Sequence, residues 1–308
     1  MKLRQLRYFV KIAEAGSYTA ASRQLNIAQS ALSRQMSEME GHLGVALLDR
    51  GKSGATLTEK GHRFYDRARE ILELVEVSEN EVRSDVAGTP SGSVSVALSV
   101  GVAGLIGPKL VQRVAAVHPG ITLTIIDGLG NQTGEAIESG HVDFGLVPDA
   151  ERLAGVKSEP VVEESIFLAS RRAGPDPDAR DIELSQVAGL PLVMPARSVH
   201  LRHHVEAAFA RQGRALNVLY EQQSLGTILS LVTAGVGSVV INWPAVHELW
   251  ADGKLDVRRV VKPEITRTFS LVAPGAKPMF TAARATYDVL REVVVEQVEL
   301  SHWKGRLV

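Results

Sequence analysis

The sequence contains no cysteine in its 308 residues. This absence excludes disulfide frameworks, cysteine-ligated zinc, iron–sulfur clusters and thiol nucleophiles together. An excess of one charge is also missing, because 34 Lys and Arg stand against 35 Asp and Glu. The charge of the whole chain therefore singles out neither nucleic acid nor a membrane. No apolar run approaches the ~18 residues of a membrane span, and we find no signal peptide. These absences predict a cytoplasmic protein with no membrane partner.

The motifs of common enzyme classes are absent as well. We find no Gly-x-Ser-x-Gly elbow and no phosphate-binding loop, and Gly128-Leu129-Gly130 lacks the third glycine of a dinucleotide-binding pattern. His200 and His204 are four residues apart on a predicted helix and could share a metal ion. Without a glutamate at the spacing of a metalloprotease, a solvent-facing helix is the favoured interpretation. The sequence thus predicts no catalytic residues, no metal and no cofactor.

Positive charge is concentrated at one end of the chain. Residues 1–62 carry nine Lys and Arg against five Asp and Glu, whereas residues 63–85 carry four against seven. A small basic module joined to a larger acidic body is typical of proteins in which one end meets a polyanion, although chance fluctuation in a short window is an alternative. The remaining composition, 45% hydrophobic and 22% charged, indicates a globular protein of two or three domains.

Apolar residues recur with helical spacing through the first 45 residues. The stripes are Leu6, Phe9, Val10 and Ala13; Ala20, Ala21 and Leu25; and Leu32, Met36, Met39 and Leu43. Gly16-Ser17 separates the first two predicted helices, with Ser17 as N-cap, and the short link Asn26-Ile27-Ala28 joins the second to the third. The pattern predicts a helix–turn–helix. Leu47–Arg50 and Ala55–Thr58 predict two strands of a wing, which completes a domain at residues 1–62.

The polar face of the third predicted helix carries side chains suited to DNA. Gln can bridge adenine N6 and N7, Arg can bridge guanine O6 and N7, and Ser can bind base or phosphate. Any amphipathic helix has a polar face, but here it coincides with a short turn, a basic excess and a wing. The predicted base-reading residues are Gln29, Ser30, Ser33 and Arg34, and the predicted phosphate contacts are Ser37, Arg50, Lys52 and Thr58.

A heptad-like seam follows this domain. Its apolar or small positions alternate in steps of four and three through Phe64, Ala68, Ile71, Val75, Ser78 and Val82. On an isolated helix, the apolar side chains of this seam would be exposed to water. We therefore predict a linker helix at 63–88 that dimerises through Phe64, Ala68, Ile71, Val75 and Val82, with packing on its own chain as the alternative. Residues 87–93 then break the periodicity and predict a linker.

Beyond Ser93, short apolar strands alternate with helices. The predicted strands are Val94–Leu98, Ile121–Ile126, Asp143–Val147, Leu190–Met194, Val218–Gln222, Val236–Ile241 and Thr268–Ala273. This alternation predicts an α/β region, residues 93–308, with mainly parallel sheets.

The chain resembles the LysR-type transcriptional regulators. The likeness rests on landmarks in register over the first 60 residues: Leu6-Arg7-Tyr8-Phe9, Gly16-Ser17-Tyr18-Thr19-Ala20-Ala21, Leu25, Gln29-Ser30-Ala31-Leu32-Ser33-Arg34-Gln35, Glu40, Leu43-Gly44, Leu47-Leu48-Asp49-Arg50 and Leu57-Thr58-Glu59-Lys60-Gly61. Looser landmarks continue towards residue 300, including His118-Pro119 and Gly140-His141-Val142-Asp143-Phe144-Gly145. Two departures stand out. Ser30 replaces the usual proline and can still cap the helix, and Asn242-Trp243 replaces a common Leu-Pro in the expected pocket wall.

The resemblance implies a winged helix–turn–helix, a dimerising linker helix and a two-lobed effector domain similar to type 2 periplasmic binding proteins. Lobe I would span about 93–161 and 267–308, and lobe II about 162–266, joined by strands that cross near Val161-Val162 and Ile265-Thr266. It further implies a homodimer or homotetramer on double-stranded DNA in the nucleoid, an interaction with RNA polymerase, and a small effector, for which a carboxylate is one candidate.

Effectors in such folds bind where strands end and helices begin, because backbone N–H groups and the helix dipole favour anions there. Arg197 is the best predicted anchor for a carboxylate, since its guanidinium can bind two oxygens. The predicted effector-binding residues are Ser99, Val100, Gly101, Gln132, Thr133, Arg197, Ser198, Ser224, Gly226 and Thr227.

Two other classes of function remain open from the sequence. A solute-binding protein of a transport system would share the two lobes, but the basic N-terminal module and the missing signal peptide count against it. An α/β enzyme with an accessory DNA-binding head is the second alternative.

Overall fold

The computed structural model describes residues 1–51, 54–87, 89–129, 131–173, 181–275 and 279–308. The chain forms two compact units, Met1–Ala87 and Gly88–Val308. Each unit has its own apolar core, so each is described by itself.

The first unit is a winged helix–turn–helix followed by a long helix. Leu6, Phe9, Leu32, Met36 and Met39 are buried together in its core, as the helical spacing predicts. Ser17 accepts the N–H of Ala20 at 3.4 Å, which confirms it as an N-cap. The elements are α1 (Leu3–Ala15), α2 (Tyr18–Gln24), α3 (Gln29–Leu43), β1 (Leu48–Gly51), β2 (Gly54–Leu57) and α4 (Glu59–Ala87).

The wing is anchored to the turn between α1 and α2. Strands β1 and β2 are antiparallel, with Leu48 opposite Leu57. The N–H of Ala55 donates to the carbonyl of Gly16 at 2.8 Å. A Cβ on Gly54 would lie 2.3 Å from that same carbonyl oxygen, and the φ of Gly54 is 127°. Only glycine fits this approach, because both the space and the backbone angle exclude a side chain.

Helix α4 begins at Glu59, before the predicted start at residue 63. Ala68 is fully buried in the core of this unit. The ring of Phe64 lies 5.4 Å from that of Phe9 on α1. These two seam residues therefore pack on their own chain, which was the alternative interpretation. Ile71 and Leu74, farther along the helix, are exposed.

The second unit contains two α/β lobes. In lobe I the strand order is β4-β3-β5-β12-β6, with β3 parallel to both β4 and β5. Helix α11 packs against α5 over this sheet. The elements of lobe I are β3 (Ser91–Ser99), α5 (Val100–Val117), β4 (Gly120–Gly128), α6 (Asn131–Glu138), β5 (Phe144–Pro148), the first half of β6 (Val156–Arg171), β12 (Thr266–Pro274), α11 (Thr281–Glu299) and β13 (Gly305–Leu307).

Lobe II repeats this arrangement. Strand β8 is parallel to β9, and a parallel bridge joins Leu192 to Ser238 beside β10. Strands β10 and β11 pair antiparallel with the second half of β6. The elements of lobe II are β7 (Asp181–Glu183), α7 (Leu184–Val187), β8 (Leu192–Pro195), α8 (His200–Arg211), β9 (Val218–Gln222), α9 (Leu225–Thr233), β10 (Val239–Asn242), α10 (His247–Ala251) and β11 (Leu255–Val261).

Two segments cross between the lobes. Strand β6 pairs with β12 as far as Ser165 and with β10 from Ile166 onward. The first crossing therefore lies at 165–166, slightly beyond the expected Val161-Val162. The second lies at the expected Ile265-Thr266, where the N–H of Ile166 donates to the carbonyl of Ile265 at 2.9 Å.

Helix α5 is long and apolar enough, by length and composition alone, to cross a membrane. This differs from the expectation that no segment of the chain reaches that threshold. Its apolar residues Val102, Ile106 and Leu110 are buried in the core of lobe I. Helix α5 therefore packs in the core of this lobe through one face, while Val111 and Val117 on its other side are exposed.

Candidate functional site

Helix α3 presents the predicted base-reading face to solvent. Gln29, Ser30 and Arg34 are exposed and Ser33 is half-buried, whereas Leu32 and Met36 on the other side are buried. The side chain of Arg34 is 76% exposed, and its Nε lies 3.8 Å from Glu38 Oε1, so it is only loosely held. The polar face is thus available to the edges of base pairs.

The start of α3 differs from the expectation that Ser30 caps it. The N-cap residue is Ala28, which provides no side-chain hydrogen bond, and Ser30 lies inside the first turn. Since Ala28 makes no side-chain hydrogen bond to this end, the start of α3 is a candidate contact for a DNA phosphate.

Glu40 connects the recognition helix to the wing. Its Oε1 accepts the N–H of Leu47 at 2.7 Å and the N–H of Leu48 at 3.1 Å. One carboxylate on α3 therefore holds the backbone where β1 begins. This role of the family landmark Glu40 could not be read from its spacing alone.

We expect Glu40→Ala to lower the free energy of unfolding by about 1.5–3 kcal/mol, because two N–H groups lose a charged acceptor. Urea unfolding of the full chain measures this. Glu14→Ala is the matched control, since Glu14 pairs with Lys11 on the exposed surface and such pairs contribute only about 0.2–1 kcal/mol. Equal losses in the two variants would contradict the role of Glu40.

The predicted phosphate contacts have different surroundings. Ser37 is exposed on α3. The hydroxyl of Thr58 donates to the carbonyl of Ala46 at 2.9 Å and accepts the N–H of Gly61 at 2.9 Å, so it helps to position the start of α4. The side chain of Arg50 and the whole of Lys52 lie outside the described residues. All four phosphate contacts stay predictions.

The two lobes of the second unit follow the same order of strands and helices. In lobe I, α5, α6 and a 3₁₀ turn (Ala150–Arg152) follow the parallel strands β3, β4 and β5. In lobe II, α8, α9 and a second 3₁₀ turn (Trp243–Ala245) follow β8, β9 and β10 in the same way. The approach of Gly101 to Ala245 and of Asp149 to His204 shows that these ends of the two lobes face each other, and we call the region between them the cleft. Ligands bind at such carboxyl ends of parallel strands in open α/β sheets.

The structure brings together one part of the predicted effector site. Ser99 is the N-cap residue of α5, followed by Val100 and Gly101. A Cβ on Gly101 would lie 3.0 Å from the Cβ of Ala245, so the start of α5 touches lobe II directly. A side chain at residue 101 would therefore require the segment around Ala245 to shift.

The other predicted effector residues lie at separate helix starts. Gln132 is exposed and Thr133 is buried at the start of α6. Ser198, Gly226 and Thr227 are exposed. Ser224 caps α9 by accepting the N–H of Thr227 at 3.4 Å. Their contact with an effector stays a prediction.

Arg197 lies beside two acidic side chains. Its Nε is 3.8 Å from Glu206 Oε1 and 3.9 Å from Glu221 Oε1, and the side chain is 74% exposed. The buried Arg202 donates to the same two carboxylates. These four residues line a pocket of about 570 Å³ between α8 and β9. In this arrangement the guanidinium of Arg197 faces the carboxylates of Glu206 and Glu221. Its role as an effector anchor stays a prediction.

A second contact between the lobes was missed from the sequence. Asp149, directly after β5, is buried, and its Oδ2 lies 3.1 Å from Nε2 of His204 on α8. Burial and the charge of Arg152 lower the pKa of the neighbouring His200. The His200–His204 spacing marks a candidate metal site in the sequence, but nothing near it in the chain points to Asp149 as the partner of His204.

Comparison with protein families gives a match to each unit. The model of the "Bacterial regulatory helix-turn-helix protein, lysR family" matches residues 3–62, and that of the "LysR substrate binding domain" matches residues 87–295. The fold and these matches define a DNA-binding transcription regulator with an effector-binding domain. The chain belongs to the LysR family of transcriptional regulators.

Curated relatives and solved structures agree with this assignment. The nitrogen assimilation regulatory protein Nac of Klebsiella aerogenes is 30% identical and the match covers 96% of this chain and 95% of Nac. Nac of Escherichia coli K12 is also 30% identical, with 99% of each chain covered. Full-length CbnR, solved with its target DNA, has 25% identity and a TM-score of 0.73 over 95% of this chain and 100% of CbnR. These relatives are transcriptional regulators, so the transport alternative is not favoured.

Proposed function

We propose that this regulator reads its operator with Gln29, Ser30, Ser33 and Arg34 and holds the phosphate backbone with Ser37, Arg50, Lys52 and Thr58. The observation that carries the proposal is the exposed polar face of α3 opposite the buried Leu32, Met36 and Met39. The apolar face of such a helix packs on the rest of the N-terminal unit, while its polar face can enter the major groove.

The effector in this proposal is a small anion bound between the lobes and released without chemical change. Support comes from the helix N-termini that both lobes turn to the cleft, because such ends favour negative charge. Ser99, Thr133 and Ser198 stand at three of these ends and can donate hydroxyl hydrogen bonds to carboxylate oxygens.

We further propose a homotetramer. On α4 the exposed Ile71 and Leu74, with the half-buried Val75, offer an apolar surface to a second copy. In the effector domain, Ile126 on the edge strand β4 and Tyr220 on the edge strand β9 are exposed. Two kinds of contact, one per unit, build a dimer of dimers and place recognition helices on half-sites about one turn of DNA apart.

The regulator then acts on promoters in the cytoplasm, on the nucleoid, through contact with RNA polymerase. An effector changes this action only if it binds one arrangement of the lobes better than another. Closing the cleft would alter the spacing of the DNA-binding modules within the tetramer.

Selection of binding sites from random duplexes with the full chain tests the first proposal. We expect one enriched palindromic site at moderate ionic strength, and no enrichment would refute operator reading. Thermal unfolding against a panel of aromatic and aliphatic acids tests the second. A true effector at 100 times its Kd should add about 2.7 kcal/mol to the stability, and recovery of the acid unaltered excludes turnover.

A further inference from the structure

The last residues of the chain, 302–308, are fixed to lobe I. Strand β13 pairs antiparallel with the first half of β6, with Gly305 opposite Glu164. The indole ring of Trp303 is fully buried, and its centroid lies 5.2 Å from that of Phe269 on β12. The Nε1 of Trp303 donates to Glu164 Oε2 at 2.8 Å. We call residues 302–308 the C-terminal strap, because they also contact lobe II.

Two tryptophans of lobe II contact the C-terminal strap. Trp243 begins the 3₁₀ turn after β10 and Trp250 lies on α10, with their ring centroids 5.1 Å apart. The Nζ of Lys304 lies 3.7 Å from the ring centroid of Trp243 and 4.8 Å from that of Trp250. The Nε1 of Trp243 donates to the carbonyl of His302 at 2.8 Å. One lysine of the strap therefore contacts two indole rings of the other lobe.

We propose that the C-terminal strap sets the equilibrium between arrangements of the two lobes, and that the ammonium of Lys304 on Trp243 and Trp250 holds lobe II against lobe I. The inference deepens the proposed function, and its prediction for effector affinity rests on the effector binding between the lobes. It assigns a role to residues outside the predicted effector site and outside the DNA-binding unit.

The place of the strap makes it sensitive to movement of the lobes. Its pairing with β6 begins at Glu164, and β6 crosses into lobe II at 165–166. Trp250 lies on α10, whose Leu249 packs against the core of lobe II. A rotation of lobe II about the crossing therefore changes the distance between Lys304 and Trp250. Because cation–π attraction needs the cation within about 6 Å of the ring centroid, such a rotation weakens the contact.

The backbone on both sides of Lys304 is held in place. Trp303 is anchored in lobe I, as described above. A Cβ on Gly305 would lie 2.7 Å from Cγ1 of Val162 and 2.9 Å from the carbonyl oxygen of Glu163, so the strap lies tightly against β6. The N–H of Val308 donates to the carbonyl of Val161 at 3.1 Å. Since Lys304 cannot follow lobe II without breaking these contacts, a rotation of the lobes acts on its contact with the indole rings.

The direction of the effect follows from the arrangement in which the contact is made. In this arrangement the two lobes touch, with Gly101 against Ala245. A contact that is present in one arrangement and lost in another stabilises the first by the free energy of that contact. Lys304 should therefore favour the arrangement in which the lobes touch.

Trp243 connects the two lobes besides its contact with Lys304. Its side chain is 2% exposed and shares an apolar cluster with Trp303 and Phe269 of lobe I. Its ring centroid lies 5.5 Å from that of Phe167, where β6 enters lobe II. Asn242-Trp243 was a departure from the family pattern in the sequence. The strap contact gives this departure a role, because a proline at residue 243 would offer neither an aromatic face nor an N–H group.

Distance measurements between the lobes test the strap without effector or DNA. The cysteine-free chain allows Glu135→Cys on α6 and Gln212→Cys after α8 to carry spin labels in the full-length protein, diluted with unlabelled chains. Lys304→Met removes the charge from an exposed side chain of similar length. We expect it to raise the ratio of separated to touching lobes about two- to fivefold, the factor that a cation–π contact at an exposed site supplies. An unchanged distance distribution, whether it has one peak or two, overturns the proposal.

Matched variants separate the cation on the rings from other effects of substitution. Lys304→Arg should retain the original ratio, because a guanidinium also stacks on aromatic faces. Lys254→Met changes an exposed lysine that pairs with Asp252, and it should leave the ratio unaltered. The effects of Lys304→Met and Trp250→Leu should not add, because each variant weakens the same contact. Loss of the original ratio in Lys304→Arg, an equal shift in Lys254→Met, or full additivity overturns the role of Lys304.

The three tryptophans of the chain give a second readout. Trp243, Trp250 and Trp303 all lie at the strap, so the fluorescence of the unlabelled protein reports on this region. Lys304→Met should change this fluorescence, whereas Lys254→Met should not, and the same spectrum in both variants contradicts the proposal.

Effector and DNA binding are measured separately from the strap. An effector found by thermal unfolding should bind Lys304→Met more weakly, by up to the same two- to fivefold factor, with operator enrichment unchanged. Equal affinity despite a shifted distance distribution refutes the link between strap and effector. Because the distance test needs neither effector nor DNA, failure of the strap and failure of the proposed function are distinguishable.

Discussion

Arg34→Ala is expected to weaken binding to the selected operator by about 1–3 kcal/mol and to relax the base preference at one position of each half-site. The reason is that Arg34 is exposed on the proposed base-reading face of α3 and is held only loosely by Glu38. Its guanidinium is therefore free to bind the O6 and N7 of a guanine. Binding to operator and to random duplex, measured over a range of salt concentrations, separates this role from general attraction to DNA.

Lys52→Ala is the comparison variant, because Lys52 is predicted to bind phosphate on the wing. It should weaken operator and random DNA alike and reduce the slope of log K against log salt by about one. If both variants change the two affinities equally, α3 does not read bases in the proposed way.

Arg267→Ala is expected to lower the free energy of unfolding by about 3–5 kcal/mol, because it leaves a buried carboxylate without its cation. Arg267 Nε donates to Glu164 Oε1 at 2.8 Å, and Trp303 Nε1 donates to Oε2 at 2.8 Å. The side chains of Arg267 and Glu164 are 6% and 0% exposed. Urea unfolding of the full chain at several pH values measures the loss.

The loss of stability in Arg267→Ala should be larger at high pH than at low pH. Burial already raises the pKa of Glu164, and Arg267 opposes that rise. Without Arg267 the folded-state pKa moves farther above the unfolded value of about 4.3, so the deficit is largest above the folded pKa and shrinks as the pH falls. Glu164→Gln added to Arg267→Ala should recover part of the stability by removing the charge.

The exposed pair of Arg259 with Asp181 is the matched control for Arg267. Both of its side chains are nearly half exposed, and Arg259→Ala should cost no more than about 1 kcal/mol. If Arg259→Ala and Arg267→Ala lowered the free energy of unfolding by similar amounts, burial of the Glu164–Arg267 pair would not explain the effect of Arg267→Ala.

The N-terminal unit could be predicted from local patterns. The stripes containing Phe9, Leu32 and Met36 have the period of a helix, and their burial follows from that period. The capping role of Ser17 is also local, since the donor is three residues away. At Phe64 and Ala68 the seam of α4 packs on its own chain. The sequence could not predict this, because a heptad pattern specifies an apolar face without specifying which helix covers it.

The hinge and the cleft were predicted less well. Strands β7, β11 and β13 and the long course of β6 were not identified, because their partners come from distant parts of the chain. Arg197 was chosen for its chemistry and its place after β8, yet the structure surrounds it with Glu206 and Glu221. The contact of Asp149 with His204 has no local signal in either segment.

The sequence by itself determined that a helical DNA-binding unit precedes an α/β unit, that α3 has an apolar and a polar face, and which family the chain belongs to. These properties depend on periodicity and on neighbours within a few positions, which the chain carries in one dimension. Only the tertiary structure decided which apolar face of α4 is buried in its own unit. It also decided where the strands cross between the lobes and which charged side chains face each other across the cleft. These contacts join residues that are far apart in the chain, so no short segment of the sequence specifies them.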